Sequence, residues 1–175
     1  MPLRSLLNQL SDQAHAWILS QRDLHWPHAR ALSAAERRPL RGFYAPGLLD
    51  SVRVRAGHAI ENPQFYWQAI AALRHLGIRT EFNLALASGI TFVDCVVLPQ
   101  PAFTADLLFH ETVHVVQYRL LGPRRFAERY VNGLADAGFV YERNPMEAVA
   151  FGLQERFRLG LRFDVEAIVE RDLRQ

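Results

Sequence analysis

Leu3, Leu6, Leu7, Leu10, Ala14, Trp17 and Ile18 recur at the three- and four-residue intervals that place side chains on one helical face. The pattern predicts an amphipathic first helix that docks by this stripe, since its polar face mixes both charge signs instead of being cationic like a membrane-surface helix. A bend follows at Trp26-Pro27, then a short helix near Ser33 to Arg38 and a turn-rich stretch from Gly42 to Gly47. Ser51 to Arg55 alternates like a half-exposed strand. Asn62-Pro63 marks the start of another helix, which carries Tyr66, Ile70 and Leu73 and stops near Gly77. Two β-rich runs come next, Ile78 to Leu86 and Ile90 to Leu98; the second is dense in β-branched and aromatic residues and ends at Pro99.

From Thr104, a plausible N-cap, the pattern turns helical, and Leu107 to Leu121 is apolar on nearly every side until Gly122-Pro123 stops it. A helix of that kind has to be buried. A second helix is expected from Pro123 to Gly138, a third with Asn144 as cap and Pro145 as first residue, and a last from about Asp164 to the end. The layout is one α+β domain over residues 1–175, with a strand-containing N-terminal half and a helical C-terminal half.

Composition narrows the function classes. A chain of 175 residues buries about two thirds of its unfolded surface on folding, so no metal is needed merely to hold the core. The net charge is +2, and the basic residues other than His are all Arg, scattered from end to end. That pattern does not point to nucleic acid, whose binders concentrate basic residues on one face. A single cysteine, Cys95, excludes an intramolecular disulfide and a cysteine-built zinc site. Residues 1–21 lack a signal-peptide core, and no stretch approaches the ~20 apolar residues of a membrane span. A soluble, cytoplasmic protein is expected, with any secretion by a non-standard route.

The buried helix contains His110-Glu111-Thr112-Val113-His114, the H-E-x-x-H spacing at which two imidazoles bind one zinc ion. Four residues advance a helix by about 400°, so the two rings point within about 40° of each other and lie about 6 Å apart along the axis. Glu111 is turned about 100° from His110, beside the metal instead of on it, which suits a general base acting on metal-activated water. A structural role for the three side chains is disfavoured, because burying two imidazoles and a carboxylate unpaired costs several kcal/mol.

A catalytic zinc site needs one more protein ligand. Gln117 and Leu120 stand where the longer H-E-x-x-H-x-x-G-x-x-H pattern has glycine and histidine, and no histidine follows His114. A carboxylate from a later helix is the alternative. Glu147, 33 residues after His114, is the best candidate, on a helix start where the small Ala148 and Ala150 would permit close approach. Glu147 also falls at N3 after the Asn144 cap, where a glutamate commonly closes a capping box. Glu128, Asp136, Glu142 and Glu155 are rivals that helix phase alone does not exclude.

His110 to His114 followed by a helix-borne Glu147 resembles the gluzincin branch of zinc metallopeptidases, particularly the small single-domain minigluzincins. Leu107 to Tyr118, Phe126, Tyr130-Val131 and Asn144 to Glu147 also look like a group of uncharacterised bacterial proteins of metallopeptidase type. The resemblance covers roughly residues 89–158. It implies a zincin-like fold, a Zn²⁺ ion held by His110, His114 and Glu147, Glu111 as catalytic base, and a peptide or protein substrate. It also implies a strand antiparallel to bound substrate above the active-site helix, which makes Ile90 to Leu98 the expected rim of the cleft, able to hold a peptide by β-augmentation.

Two departures from the family pattern bear on mechanism. Familiar gluzincins carry an acidic residue shortly after the glutamate ligand to orient a zinc-bound histidine, whereas Ala150 and Phe151 stand here; Asp94, Asn132 or Asp136 are the substitutes considered. No downstream residue is marked as oxyanion donor, and Tyr141 and Tyr130 are the candidates. His15, His25, His28, His58 and His75 read as surface or satisfied histidines, and neither Asp94 nor Cys95, expected on opposite faces of one strand, as a nucleophile. The competing reading is a zinc-binding or latent, non-hydrolytic interaction or effector module, with the fourth metal position filled by Phe163 to Gln175.

Overall fold

The computed structural model describes residues 3–80 and 82–174. Glu81, inside the first expected β run, and Gln175, at the end of the last expected helix, lie outside the described residues, as do Met1 and Pro2. The fold is α+β, with a small four-stranded sheet in the N-terminal half and a mostly helical C-terminal half. No helix among the described residues is long and apolar enough to cross a membrane.

Helix α1, Leu3–His25, follows the apolar stripe and buries Leu6, Leu10 and Ile18. Helix α2, Ala34–Leu40, opens with a capping box in which the Ser33 hydroxyl accepts from Glu36 N and the Glu36 carboxylate accepts from Ser33 N. Helix α3, Pro46–Ser51, overlaps the end of the expected Gly42 to Gly47 turn stretch and takes Ser51 from the expected strand: Pro46 presets the first helical φ, and Leu48 and Leu49 are drawn into the core. Helix α4, Tyr66–His75, starts three residues past Pro63. Asn62 is occupied elsewhere, accepting from Leu84 N and donating to Asn83.

The sheet order is β1-β2-β4-β3, with β1 Arg30–Ala31, β2 Arg53–Ala56, β3 Ile90–Phe92 and β4 Cys95–Leu98. Strands β2 and β4 run parallel, and the outer pairs are antiparallel. The run Ile90 to Leu98 is therefore a hairpin and not one strand. Val93, at φ 62, and Asp94 form its turn, so the expected strand placement of Asp94 is corrected. Nor do the described residues of Ile78 to Leu86 pair as a strand. The described backbone groups are satisfied singly instead: Tyr66 donates to the Phe82 carbonyl, Phe82 N donates to the Thr80 hydroxyl, and Leu84–Leu86 winds into a single 3-10 turn.

Both faces of β4 are buried. Val96 and Leu98 pack with Phe109, Val113 and Val116 in one cluster, while Cys95 and Val97 pack with Ile18, Phe92 and Tyr118 in another. Strand alternation over two covered faces explains the unbroken apolar run. Burial raises the Cys95 thiol to about 11, which leaves it inert.

Helix α5, Ala105–Asp136, is broken at Gly122, whose φ of 74 and ψ of 158 are not helical. Had the helix run straight, residues 114 and 126 would stand about 18 Å apart; their rings instead lie 6.4 Å apart, and Tyr118 stacks on Phe126 at 3.6 Å. The chain doubles back at Gly122. Helix α6, Pro145–Arg158, begins at the expected cap, and α7, Val165–Leu173, is capped by Asp164.

That glycine conformation is essentially closed to other residues and costs about 1–3 kcal/mol when forced. Gly122→Ala is expected to lower stability by that amount. Gly47→Ala, at an exposed helical position with nothing within 4 Å of an added methyl, is expected to hold or raise it. Urea unfolding midpoints of the two variants check the pair.

Candidate metal centre

The first half of α5 presents His110, Glu111 and His114 beneath β3. Tyr44 anchors the preceding turn by donating to the Phe109 carbonyl at 2.7 Å. The reversal at Gly122 brings Phe126 back to the His114 ring, with Tyr130 stacked beside Phe126, and α6 begins against that returning segment. Asn144 donates to the Tyr130 carbonyl at 3.1 Å while its Oδ1 caps Met146 N. A methyl on Gly133 would meet Asn144 Oδ1 and Pro145 Cδ at 3.0 Å, so it is Gly133 that permits the close approach. Of the two alanines expected to do so, Ala150 is buried in the core and Ala148 is exposed.

Glu147 then projects inward. Its Oε2 lies 3.3 Å from His110 Nε2 and 3.5 Å from His114 Nε2, and the two nitrogens are 3.2 Å apart. The point equidistant from the three atoms is about 1.9 Å from each, close to the roughly 2.0–2.2 Å bonds that imidazole and carboxylate make with zinc. The three residues form a buried group able to hold a metal ion. Glu147 does not close a capping box, for its other oxygen accepts from Tyr130 at 2.7 Å. The rivals Glu128, Asp136, Glu142 and Glu155 are all exposed.

Electrostatics agree with the donor set. Burial disfavours charge on His114, yet the carboxylates of Glu147 and Glu111, with Gln117, raise its pKa to about 9. Burial likewise opposes ionisation of Glu147, and the neighbouring His114 and His110 more than offset it, holding the carboxylate well below its ordinary range. A field that draws a proton into this space also draws a divalent cation. His110 Nδ1 and Glu147 Oε2 have no hydrogen-bond partner among the described residues.

The orienting residue that Asp94, Asn132 or Asp136 was expected to supply is Gln117. Its Oε1 lies 2.8 Å from His114 Nδ1, and its amide nitrogen donates to the Met146 carbonyl at 3.0 Å. A carbonyl only accepts, so the Gln117 oxygen must face the histidine. His114 Nδ1 is then the protonated nitrogen and Nε2 keeps its lone pair for a metal. Asp94 is paired with Arg22 at 3.0 Å, Asn132 donates to the Glu128 carbonyl, and Asp136 is exposed. Gln117 lies three residues after His114, a spacing that marks neighbours on one helical face and so was readable.

Glu111 stays outside the three-atom cluster. Thr91 on β3 donates to its Oε2 at 2.7 Å, and a methyl on Gly89 would come within 2.7 Å of its Oε1. Neither residue carries a sequence signal of its own. Tyr130 is committed to Glu147, whereas Tyr141 lines the space in front of Glu111 and Glu147, its phenol raised by burial and then by those two carboxylates. Phe151 packs on the His110 ring at 4.6 Å.

A groove of about 1560 Å³ reaches His110 and Glu111 from outside, between a wall that includes Gly77, Asn83 and Gly89 and the later turns of α6 at Phe151, Gln154 and Arg158. No described residue of the stretch 163–174 lines it. That stretch is fixed elsewhere, by Val165 N donating to the Phe43 carbonyl and by Arg129 donating to the Leu173 carbonyl. The remaining histidines stand apart from the centre. Among them His25 is buried, stacks on Phe92 and faces Arg55, and burial with that guanidinium lowers its pKa to about 4.

No family model, curated protein or solved structure matches the chain. Outer partners of metal-bound histidines are commonly worth 10–100-fold in affinity. Gln117→Leu is therefore expected to weaken the affinity of this group for a divalent metal ion by roughly that factor with the fold retained, as measured by competition with a fluorescent chelator.

Proposed function

We propose that the chain is a zinc-dependent peptidase in which His110, His114 and Glu147 hold the metal and Glu111 is the general base. The observation that carries this reading is the placement of Glu111. Its carboxylate is held by Thr91 next to the three-ligand group and at the floor of an open groove. Two imidazoles and one carboxylate are a known catalytic zinc donor set, and zinc bound by them supplies Lewis acidity to a water molecule and to the substrate carbonyl.

The chain's own groups account for the rest of the chemistry. Thr91 occupies Glu111 Oε2, leaving Oε1 to accept the proton of the attacking water and return it to the departing amine. Tyr141, which lines the groove beside Glu111 and is kept protonated by its surroundings, would be the donor that stabilises negative charge on the carbonyl oxygen. Tyr130 holds Glu147 in the orientation that ligation needs. Strand β3 is the edge of the sheet, and Ser88 and Gly89, just before it, line the groove, so an extended peptide could approach the centre beside that edge.

Metal analysis of purified protein, with hydrolysis of quenched fluorescent peptides, tests the proposal. One zinc per chain is expected in wild type, lost in His114→Ala and Glu147→Ala. Glu111→Gln is expected to keep the zinc and lose roughly 10²–10⁴-fold in rate. Zinc without hydrolysis would favour a binding module, and no metal in wild type would refute the proposal. Gly89→Ala supplies a finer check: crowding Glu111 Oε1 should lower kcat while zinc content stays at one.

A further inference from the structure

The two histidines of the centre are held in different ways. The His114 ring is fixed by a directed bond, its Nδ1 donating to Gln117 Oε1 at 2.8 Å. His110 has no such bond. It is 4% exposed, and its Nδ1 is buried without a hydrogen-bond partner among the described residues. The carboxylate best placed in sequence to serve it is Asp106, one helical turn earlier on the same face. That carboxylate is occupied, accepting from Gln154 at 3.1 Å and from Arg158 Nε at 2.8 Å. Metal-bound histidines almost always donate their second nitrogen to an acceptor that fixes the ring, so another contact has to orient this one.

The contact the ring does make is aromatic. Phe151 packs on His110 with ring centroids 4.6 Å apart and planes tilted by 51°. It follows Glu147 by four residues on α6, so the ligand carboxylate and the aromatic ring lie on one face of that helix. Phe151 is itself braced. Tyr141 meets it edge-on at 6.1 Å, and Phe82 stacks on Tyr141 at 6.0 Å. A row of rings thus runs from Phe82 through Tyr141 and Phe151 to His110, and all four residues line the groove. Phe151 remains 38% exposed, so the core gains little from it, and its main contact inward is the ligand ring.

We propose that Phe151 is the positioning residue for His110: it sets that ring for metal binding by packing alone, while Gln117 sets His114 by a hydrogen bond. The proposal rests on the metal-binding part of the reading above and adds how the second imidazole is oriented. A ring held by packing tilts once its cover is removed, so metal affinity at this centre depends on a side chain that supplies no ligand atom.

The test uses zinc itself as the probe, on the full chain. Phe151→Ala is expected to weaken zinc binding by roughly 10–100-fold, the usual worth of an outer partner, in competition with a fluorescent chelator. Phe151→Leu, which keeps apolar cover over the ring, should recover most of that loss. Long-range proton–nitrogen NMR of the zinc-loaded chains supplies a readout that a general loosening would not reproduce. Phe151→Ala should move or broaden chiefly the His110 imidazole signals, and Gln117→Leu chiefly those of His114. The unsubstituted chain carries its own check, since the His114 Nδ1 proton, bonded to Gln117, should resonate downfield of the His110 Nδ1 proton. Wild-type affinity in Phe151→Ala, an equal loss in Phe151→Leu, equal disturbance of both rings by Phe151→Ala, or the reverse order of the two protons would overturn the positioning role and leave the metal reading standing. Failure of the wild type to bind zinc would overturn both.

Discussion

A buried carboxylate pressed against two imidazoles is the constraint around which the molecule is arranged. Glu147 is 2% exposed, His110 4% and His114 6%, and no arrangement of ionised and neutral forms in that space is stable without either a shared proton or a cation. The fold accepts this cost through two backbone devices. The reversal at Gly122 returns Tyr130 to hold the Glu147 carboxylate, and the absent side chain at Gly133 lets Asn144 set the start of α6 within reach of His114. Gln117 closes the arrangement by linking the His114 ring to the Met146 carbonyl of the ligand-bearing helix. Ligand, tautomer and helix contact are thus parts of one hydrogen-bonded unit.

Much of this was legible in the sequence, and the reasons are physical. Helices announce themselves by periodicity and by caps: Thr104 and Asn144 cap as expected, and Ser33 and Asp164, near the expected starts of two other helices, turn out to be caps as well. The spacing of His110 and His114 fixes their convergence because helix geometry leaves no other outcome. Glu147 could be nominated, yet the choice between ligation and capping depended on how α6 approaches α5, a tertiary fact. Less visible were features set by contacts between distant segments. Ile78 to Leu86 has strand-like composition but finds no ladder partner, because Asn62, Tyr66 and Thr80 satisfy its backbone one group at a time. Ile90 to Leu98 conceals a two-residue turn without glycine or proline, held open by Val93 at positive φ and by the pairing of Asp94 with Arg22. Thr91 and Gly89 matter only because the sheet edge falls beside Glu111.

The groove and the space beside His114 are continuous. The groove is lined by His110 and Glu111 and by the later turns of α6, while the space beside His114 and Glu147 is lined mostly by apolar residues of α1, α4 and α5. The two meet along Phe82, Leu84, Ala87, Gly89, Glu111 and Tyr141, so Glu111 stands where a polar, solvent-facing wall gives way to an apolar one.

The central claim is that His110, His114 and Glu147 together hold one metal ion. Anomalous diffraction from zinc-loaded crystals, collected on either side of the zinc absorption edge, addresses it without reference to activity. A single peak bonded to Nε2 of both histidines and to a Glu147 carboxylate oxygen, with Glu111 adjacent but not bonded, is the predicted result. A peak held by other side chains, or none at this position in fully loaded protein, would contradict the account.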